Sequence, residues 1–392
     1  MISIASDFHL GYGYNTEREN DCFFVLEELL KEQSDLILFA GDLFDSRIPR
    51  LEVLSEAMHF LAKLKGMESK IRFIECDKKI NKRAIQGIPF ISIYGNHDRR
   101  PNLINPVQSL EKAGLLINLH CQKIVFELNG EKIAIHGMSY VPEKYSKDVL
   151  TEWNPKPVPD AKNILLLHQN IDPFIYSDGD EVNIKMSDLP KGFDLIVNGH
   201  IHWKNEVPLG NGKLILPGST VQTQLNKKES EIRKGYFILD PELKFELKFK
   251  EIKQRDFYYE KANTNEEVEK FLKNIPEKEL NPIIKIQIKN TSKLDLNIIE
   301  KKYKDKSILV FKKEMFNTFE KQKTEILRKQ LSAEEYGLKL LKEKSKFKDP
   351  EDLLNLIIDD DSKGVEDLLK KSFEINRERE INIKDNQEKT ID

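Results

Sequence analysis

Cysteine is scarce. The 392 residues contain three, Cys22, Cys76 and Cys121, with no CxxC spacing among them. That argues against a disulfide framework and against a zinc site built on sulfur, and leaves reduced thiols packed in a core as the expectation. Long apolar runs are missing too: none approaches the ~20 residues that a membrane span needs. The opening Met1-Ile-Ser-Ile-Ala-Ser has neither a basic leader nor a signal-type apolar core, so a cytoplasmic protein with no membrane association is expected. There is no excess of charge of one sign. Against 66 Asp+Glu stand 63 Lys+Arg, a net charge of -3, so an anionic partner must be met by local patches and not by the overall field. Composition neither suggests nor excludes nucleic acid. One absence gives direction: no histidine follows His202, which assigns imidazole chemistry to the N-terminal half.

What is present fits one large or two to three ordinary globular domains. From residue 1 to about 240, short β-branched runs alternate with amphipathic stretches, the pattern of strands buried in an α/β sheet with helices on its faces. Strands are expected at Ile2–Ala5, Leu36–Ala40, Pro89–Ile93, Lys132–Ile135, Ile164–Leu167 and Leu195–Val197. Leu51, Leu54, Met58, Leu61 and Leu64 recur at helical steps and predict one buried face. Asn105 as cap, Pro106 in the first turn and Gly114 past the end frame another helix. Residues 66–88, strand-like and rich in lysine, read as a surface insertion.

From about 241 the texture changes. Leu243, Phe245, Leu247 and Phe249 alternate with charged residues, Thr264 and Glu267 form a capping-box pattern, and strand signals recur at Pro282–Ile288 and Ser307–Phe311. Residues 241–315 therefore read as a small α+β domain. Residues 316–375 are charged and helical, with apolar faces at Leu353, Leu354, Ile357 and at Leu368, Leu369. A polar tail, 376–392, ends the chain. Helices this short bury little alone, so the faces dock either on a partner or on their own domain. Lys339, Lys342, Lys344, Lys346 and Lys348 form a run that is either a solvated helix end or a phosphate-contacting patch.

Five polar signatures each fall where a strand would end: Asp7-Phe-His9, Gly41-Asp42-Leu-Phe-Asp45, Gly95-Asn96-His97-Asp98, His168 and Gly199-His200-Ile-His202. The carboxyl ends of strands are where ligands bind in an open α/β sheet, so the pieces can converge. On an extended segment Asp7 and His9, or His200 and His202, would point to one side. Gly41, Gly95 and Gly199 precede donors, as expected where the backbone turns sharply. Seven nitrogen and oxygen donors, Asp7, His9, Asp42, Asn96, His168, His200 and His202, are too many for one tetrahedral ion. They suit two ions sharing a bridging carboxylate, for which Asp42 is the choice, and they suit Mn²⁺, Fe or Zn²⁺ better than a soft metal. Two carboxylates against two dications leave about two positive charges in excess. Phosphoester hydrolysis is the chemistry that this serves.

These signatures resemble the calcineurin-like metallophosphoesterases, whose pattern runs D-x-H, GD, GNH[DE], H, GHxH. The resemblance covers about 1–240. It implies an α/β fold, a two-sheet metallophosphoesterase sandwich flanked by helices, here with a small α+β capping domain and a C-terminal helical segment. It implies two divalent ions, most naturally Mn²⁺, one held by Asp7, His9, Asp42 and His202 and the other by Asp42, Asn96, His168 and His200. His97 becomes the residue that contacts the phosphate and protonates the leaving oxygen. Asp45, Asp98 and Arg99 become candidates for supporting the ligands or positioning the phosphate.

Longer words, Asp7-Phe-His-Leu-Gly11, Gly41-Asp-Leu-Phe-Asp45, Gly95-Asn-His-Asp-Arg99, Ile135-His-Gly-Met138, Leu167-His-Gln169 and Pro217-Gly-Ser-Thr-Val221, are similar to the nuclease subunit of the double-strand-break repair complex, the SbcD or meiotic-recombination nuclease family. That narrower resemblance implies a DNA exonuclease and endonuclease, acting as a homodimer. It also implies a coiled-coil zinc-hook ATPase of SbcC type on the C-terminal helices, and a nucleoid-associated location if the source is prokaryotic. Many members carry His where this chain has Asp45, a position linked to exonuclease cleavage; a helix-entry cap ahead of Ser46 is the competing reading. His136 is expected behind the ligands or in the core, and His59 and His120 are expected to be structural. Two alternatives stay open: a phosphodiesterase or phosphatase of the same fold acting on a small molecule or phosphoprotein, and a DNA-end-binding scaffold.

Overall fold

A computed structural model describes residues 1–175, 182–240, 246–289 and 295–314, together with Lys342, residues 350–358 and positions 364, 365, 368 and 369. The chain forms two compact units, Met1–Lys313 and Glu314–Asp392.

The first unit is built on two facing sheets. One has six strands in the spatial order Glu246–Glu251, Gly235–Asp240, Ile2–Ala5, Leu36–Ala40, Phe90–Ile93, Ile117–Asn118. The other has seven: Asn205–Leu209, Gly212–Leu216, Leu195–Asn198, Lys162–Leu167, Glu131–Gly137, Gln122–Leu128, Arg72–Cys76. Alternation along the strands sorts the layers. Ile2, Ile4, Leu36, Leu38, Ile91 and Ile93 pack inward against Ile133, Ile135, Ile164, Leu166 and Val197 of the second sheet. The residues between them, Ile37, Phe39 and Phe90, point outward onto Val25, Leu29, Val53, Phe60, Leu61 and Leu110 of the helices Phe24–Glu32, Leu51–Lys65 and Pro106–Lys112. On the far side Leu165, Leu167, Ile196 and Leu214 meet Leu150 of the helix Glu143–Trp153, with Leu189 and Phe193. The result is the expected two-sheet sandwich flanked by helices. All six expected strands are present, and Asn105 caps its helix in a reciprocal box with Gln108.

Three expectations change. The helix Leu51–Lys65 buries Val53, Ala57, Phe60, Leu61 and Leu64, while Leu51 is 78% and Met58 42% exposed. The helix is apolar on two sides, and periodicity alone selected a mixed stripe. Residues 66–88 are less an insertion than a part of the fold: Arg72–Cys76 pairs antiparallel with Gln122–Leu128 as the edge of the second sheet, and Ala84 is buried. The alternating Leu247 and Phe249 belong to the first sheet and not to the small domain, because Glu246–Glu251 pairs along its whole length with Gly235–Asp240.

Beyond Glu251 the chain is pinned before it enters the small sheet. The Arg255 guanidinium donates to both Asp21 carboxylate oxygens, 2.9 and 3.0 Å, and to the Glu17 and Asn281 carbonyls. Three strands, Phe257–Lys261, Ile283–Lys289 and Ile308–Glu314, then pack with the helices Asn265–Lys273 and Leu296–Tyr303 around Ile284, Ile286, Val268 and Ile299. Thr264 caps the first of those helices through the Glu267 amide.

In the second unit the helix Pro350–Ile358 is described. Leu353 is buried and Leu354 half-buried, and Leu368 and Leu369 are helical and half-buried. The lysine run, apart from Lys342, and most of the tail from 316 lie outside the described residues.

Candidate metal centre

The two sheets touch where their parallel strands end. Leu36–Ala40 leads into Gly41-Asp42, Lys162–Leu167 into His168, and Leu195–Asn198 into Gly199-His200. The His168 Nδ1–H donates across the sheets to the Ala40 carbonyl at 2.7 Å. That closeness is what the glycines serve. A Cβ on Gly199 would lie 2.0 Å from the Ala40 oxygen, and one on Gly95 would lie 2.0 Å from Asp42 Oδ1. Only Gly41, with φ +91°, supplies the sharp turn expected of all three.

The strained backbone lies instead at the donors themselves. Asp7, His9, Asp42 and His200 have φ of 53°, 47°, 58° and 74°. Each left-handed non-glycine residue costs on the order of 1–2 kcal/mol, held here by the surrounding fold. Asp7 and His9 are thus not side by side on an extended strand; a looped backbone turns both inward. Hydrogen bonds fix it: the Thr220 amide donates to the Asp7 carbonyl, and the His200 amide donates to both Asp7 carboxylate oxygens, 3.1 and 3.2 Å.

All seven predicted donors come together. His9 Nε2 lies 3.1 Å from His202 Nε2, which is 3.7 Å from Asp7 Oδ1. His168 Nε2 is 3.3 Å from Asp42 Oδ2 and 3.1 Å from Asn96 Oδ1, and Asn96 Oδ1 is 3.0 Å from His200 Nδ1. Asp42 Oδ2 stands 3.9 Å from His9 Nε2, so this one carboxylate faces both groups. Donor atoms of Asp7, His9 and His202, and those of Asp7, Asp42 and His168, lie within 4.8 Å of one another, all buried.

The ring hydrogen-bond pattern tests whether a cation fits. His168 donates from Nδ1 to a carbonyl, and His202 Nδ1 sits 2.6 Å from Thr223 Oγ1. The neutral tautomer that the carbonyl bond selects for His168 turns its Nε2 lone pair toward the Asp42 and Asn96 oxygens, and a His202 that donates to Thr223 would likewise turn Nε2 toward Asp7. Acceptors converging on acceptors in a buried space demand positive charge between them. Protonation answers the same demand. Burial works to lower the His168 imidazole, yet the Asp42 and Asp7 carboxylates push it up to about 9. Burial works to raise Asp42, but His168, His9 and His97 hold it well below the usual carboxylate range. Burial raises Asp7, with Asp42 adding to the rise. His200, by burial and then by His168, is pushed down to about 3. Burial and then His9 push His202 far down, so neutral ring nitrogens are held ready as ligands. The donor set therefore fits hard or borderline divalent ions.

Beside the donors, the His97 amide donates to Asp42 Oδ1 at 2.9 Å, and its ring Nδ1 donates to the Asp45 carbonyl at 2.9 Å. Its ring stands edge-on to His9, 4.8 Å between centroids. Asp45 does not cap a helix, for the helix begins with Arg50 as its cap; its carboxylate lies 3.3 Å from His9 Nδ1. Asp98 organises the loops: its oxygens accept from the Leu43, Phe44 and Gly95 amides, while burial and then Asp42 raise it to about 6. Arg99 is half-buried and acts electrostatically on Tyr94. His136 is buried edge-on against Phe193, His120 stacks on Tyr94, and His59 is exposed on its helix. Sequence reasoning missed Thr223, which orients His202, and Tyr140, whose ring centre lies 6.3 Å from those of both His168 and His200. Thr223 lies two residues past the Pro217–Val221 word, its only trace.

The chain belongs to the calcineurin-like phosphoesterases, whose family model matches residues 2–204, the span that holds all seven donors. It is similar to proteins named for DNA double-strand break repair. The MRE11 protein of Encephalitozoon cuniculi is 30% identical over 60% of this chain and 45% of that one. The Mre11 protein of Methanosarcina acetivorans is 30% identical over 57% and 34%. The Mre11 protein of Sulfolobus acidocaldarius is 27% identical over 93% and 97%. The matches span less than half the length of the first two relatives and nearly all of the third.

Proposed function

We propose that this protein is a dinuclear-metal DNA nuclease that processes DNA ends during double-strand-break repair. The observation that carries the reading is the convergence of seven donors, five of them buried and Asn96 and His200 half-buried, with Asp42 between two groups, at the edge where both sheets end. Asp7, His9, Asp42 and His202 would hold one ion, and Asp42, Asn96, His168 and His200 the other, with Mn²⁺ the best match to mixed imidazole and carboxylate donors. When bound, the pair supplies Lewis-acid polarisation of a phosphodiester and activation of a water. The chain's own residues do the rest. The His97 backbone is tied to Asp42 and its Nδ1 to a carbonyl, which leaves Nε2 as the ring nitrogen to donate a proton to the leaving oxygen. Asp45, beside both His9 and His97, would set how the phosphate sits, and hence the balance of exonuclease and endonuclease cleavage.

The names of the relatives support DNA as substrate and repair as the process. The small domain that begins at Phe257 would then cap the DNA and residues 316–375 would bind a coiled-coil zinc-hook ATPase of SbcC type. Exposed Ile48, Leu51 and Met58, with Leu103 and Ile104, support a homodimer, since large apolar side chains at these positions lack cover in the single chain. Among the described residues no helix is long and apolar enough to cross a membrane. The test is Mn²⁺-dependent cleavage of a DNA hairpin beside bis-(p-nitrophenyl) phosphate, with His200→Ala and His202→Ala as controls. Hairpin cleavage lost in both variants supports the reading. Turnover of the small ester alone would return the protein to a small-molecule phosphodiesterase, and metal-free binding of DNA ends without cleavage would return it to a scaffold.

A further inference from the structure

Behind the metal centre lies an ion pair that no step above uses. Lys234 and Glu229 are 2% and 5% exposed, and their Nζ and Oε1 atoms are 2.8 Å apart. A buried pair is expensive to desolvate and is often replaceable by apolar residues without loss of stability, so its retention asks what its remaining hydrogen bonds hold. All of them lead to one place. Lys234 Nζ donates to the His202 carbonyl at 2.9 Å and to Ser219 Oγ at 2.8 Å. The Glu229 carboxylate accepts from three successive amides, Thr223 at 3.0 Å, Gln224 at 2.9 Å and Leu225 at 2.7 Å. Leu225 is held at φ 48°, a left-handed conformation that this grip maintains.

Thr223 is the link to the chemistry. Its amide hangs on Glu229, its carbonyl accepts from the Tyr12 hydroxyl at 3.0 Å, and its Oγ1 lies 2.6 Å from His202 Nδ1. With the Nδ1–H donated to that hydroxyl, the Nε2 lone pair is left to face Asp7 and His9, which is the form that binds an ion. His202 is thus held twice, by its carbonyl from Lys234 and by its ring from Thr223, and the ion pair joins the two holds. An apolar pair of equal volume would fill the space, but it would leave the amides of Thr223, Gln224 and Leu225 and the His202 carbonyl without these partners.

We infer that Lys234 and Glu229 are positioning residues for His202: a buried clamp that fixes the loop 219–225 so that the imidazole presents Nε2 to the ion shared with Asp7 and His9. The inference rests on the dinuclear reading above. Its role is in metal affinity at one of two sites and not in chain stability alone.

The experiment counts bound Mn²⁺ on the full chain by equilibrium dialysis and electron paramagnetic resonance. It compares wild type with Lys234→Met, Glu229→Gln, the double Lys234→Met/Glu229→Met and Thr223→Val, each also melted without metal. Wild type should bind two ions. Every variant should weaken one of them by about tenfold or more, the usual scale for losing a ligand's hydrogen-bond partner, and leave the other unchanged. The double variant leaves no uncompensated charge and should melt above both single charge variants, yet its Mn²⁺ defect should be as large as theirs, which a merely structural pair would not show. Thr223→Val keeps the ion pair and should reproduce the defect, so misfolding of the charge variants does not rescue the inference. Lys234→Arg should recover part of the affinity. Two ions bound at wild-type affinity by the double variant and by Thr223→Val would overturn the clamp. Fewer than two ions on wild type would overturn the dinuclear reading, and the clamp with it.

Discussion

His97 and His202 lie within one cluster of rings, yet their surroundings give them different work. His202 has its Nδ1 committed to Thr223 and its Nε2 among ligands, whereas His97 has its Nδ1 committed to a backbone carbonyl and its amide, not its ring, on Asp42. His97→Asn keeps that amide bond and removes only the imidazole. It should retain both ions and the fold while losing at least ~10²-fold in turnover, the scale of a general acid; loss of Mn²⁺ in dialysis would assign His97 to the ligands instead. His136 gives a different residue-scale test. Burial first pushes its imidazole down to about 4, with a bond to Asn163 working the other way, and its Nε2 finds no protein partner among the described residues. The folded state therefore refuses a proton that the unfolded state accepts near pH 6.5, so this group removes stability as pH falls from about 6.5 toward 4. His136→Leu should shrink the difference in urea-unfolding free energy between pH 7 and pH 4 by up to about 3 kcal/mol. An unchanged difference would mean that the ring is protonated in the fold.

At the scale of elements, what was legible followed from local chemistry and what was not followed from pairing. Ile2–Ala5, Leu36–Ala40 and Ile164–Leu167 are buried on both faces, so their unbroken apolar text announces them. The donors were legible because Asp, Asn and His after a strand have few packing reasons to be there. The left-handed backbone at Asp7, His9, Asp42 and His200, and the Thr223 bond to His202, were not, because they arise from contacts across the fold that no local spacing encodes. Arg72–Cys76 was misread because an edge strand with Arg72 and Glu75 exposed looks like surface until its partner Gln122–Leu128 is known. Leu51 and Met58 misled for the reverse reason, being apolar but outside the core. The helix Pro350–Ile358 carries the element-scale prediction. Truncation near Asn317, or Leu354→Glu or Leu368→Glu, should leave Mn²⁺-dependent cleavage of single-stranded DNA intact. If these helices dock on a coiled-coil ATPase as proposed, the same changes should abolish co-elution with it and any ATP-stimulated activity, because a charge in an apolar groove is strongly disfavoured. Unchanged co-elution on a sizing column would return these helices to packing within their own unit.

For the whole molecule, balanced charge means that no long-range field concentrates a polyanion, so the proposed affinity for DNA phosphates would have to come from the centre itself and from local lysines. Two sheets meet at their carboxyl ends, glycines at 95 and 199 let the backbones approach, and the buried carboxylates and imidazoles left there are short of positive charge. Two bound ions would supply it. Anomalous scattering at the manganese edge, from crystals of the full chain grown with Mn²⁺, tests this most directly. Two peaks about 3.5–4 Å apart are expected, one beside Asp7, His9 and His202, the other beside Asn96, His168 and His200, with Asp42 between them. A single peak, or ions ligated outside these seven residues, would contradict it.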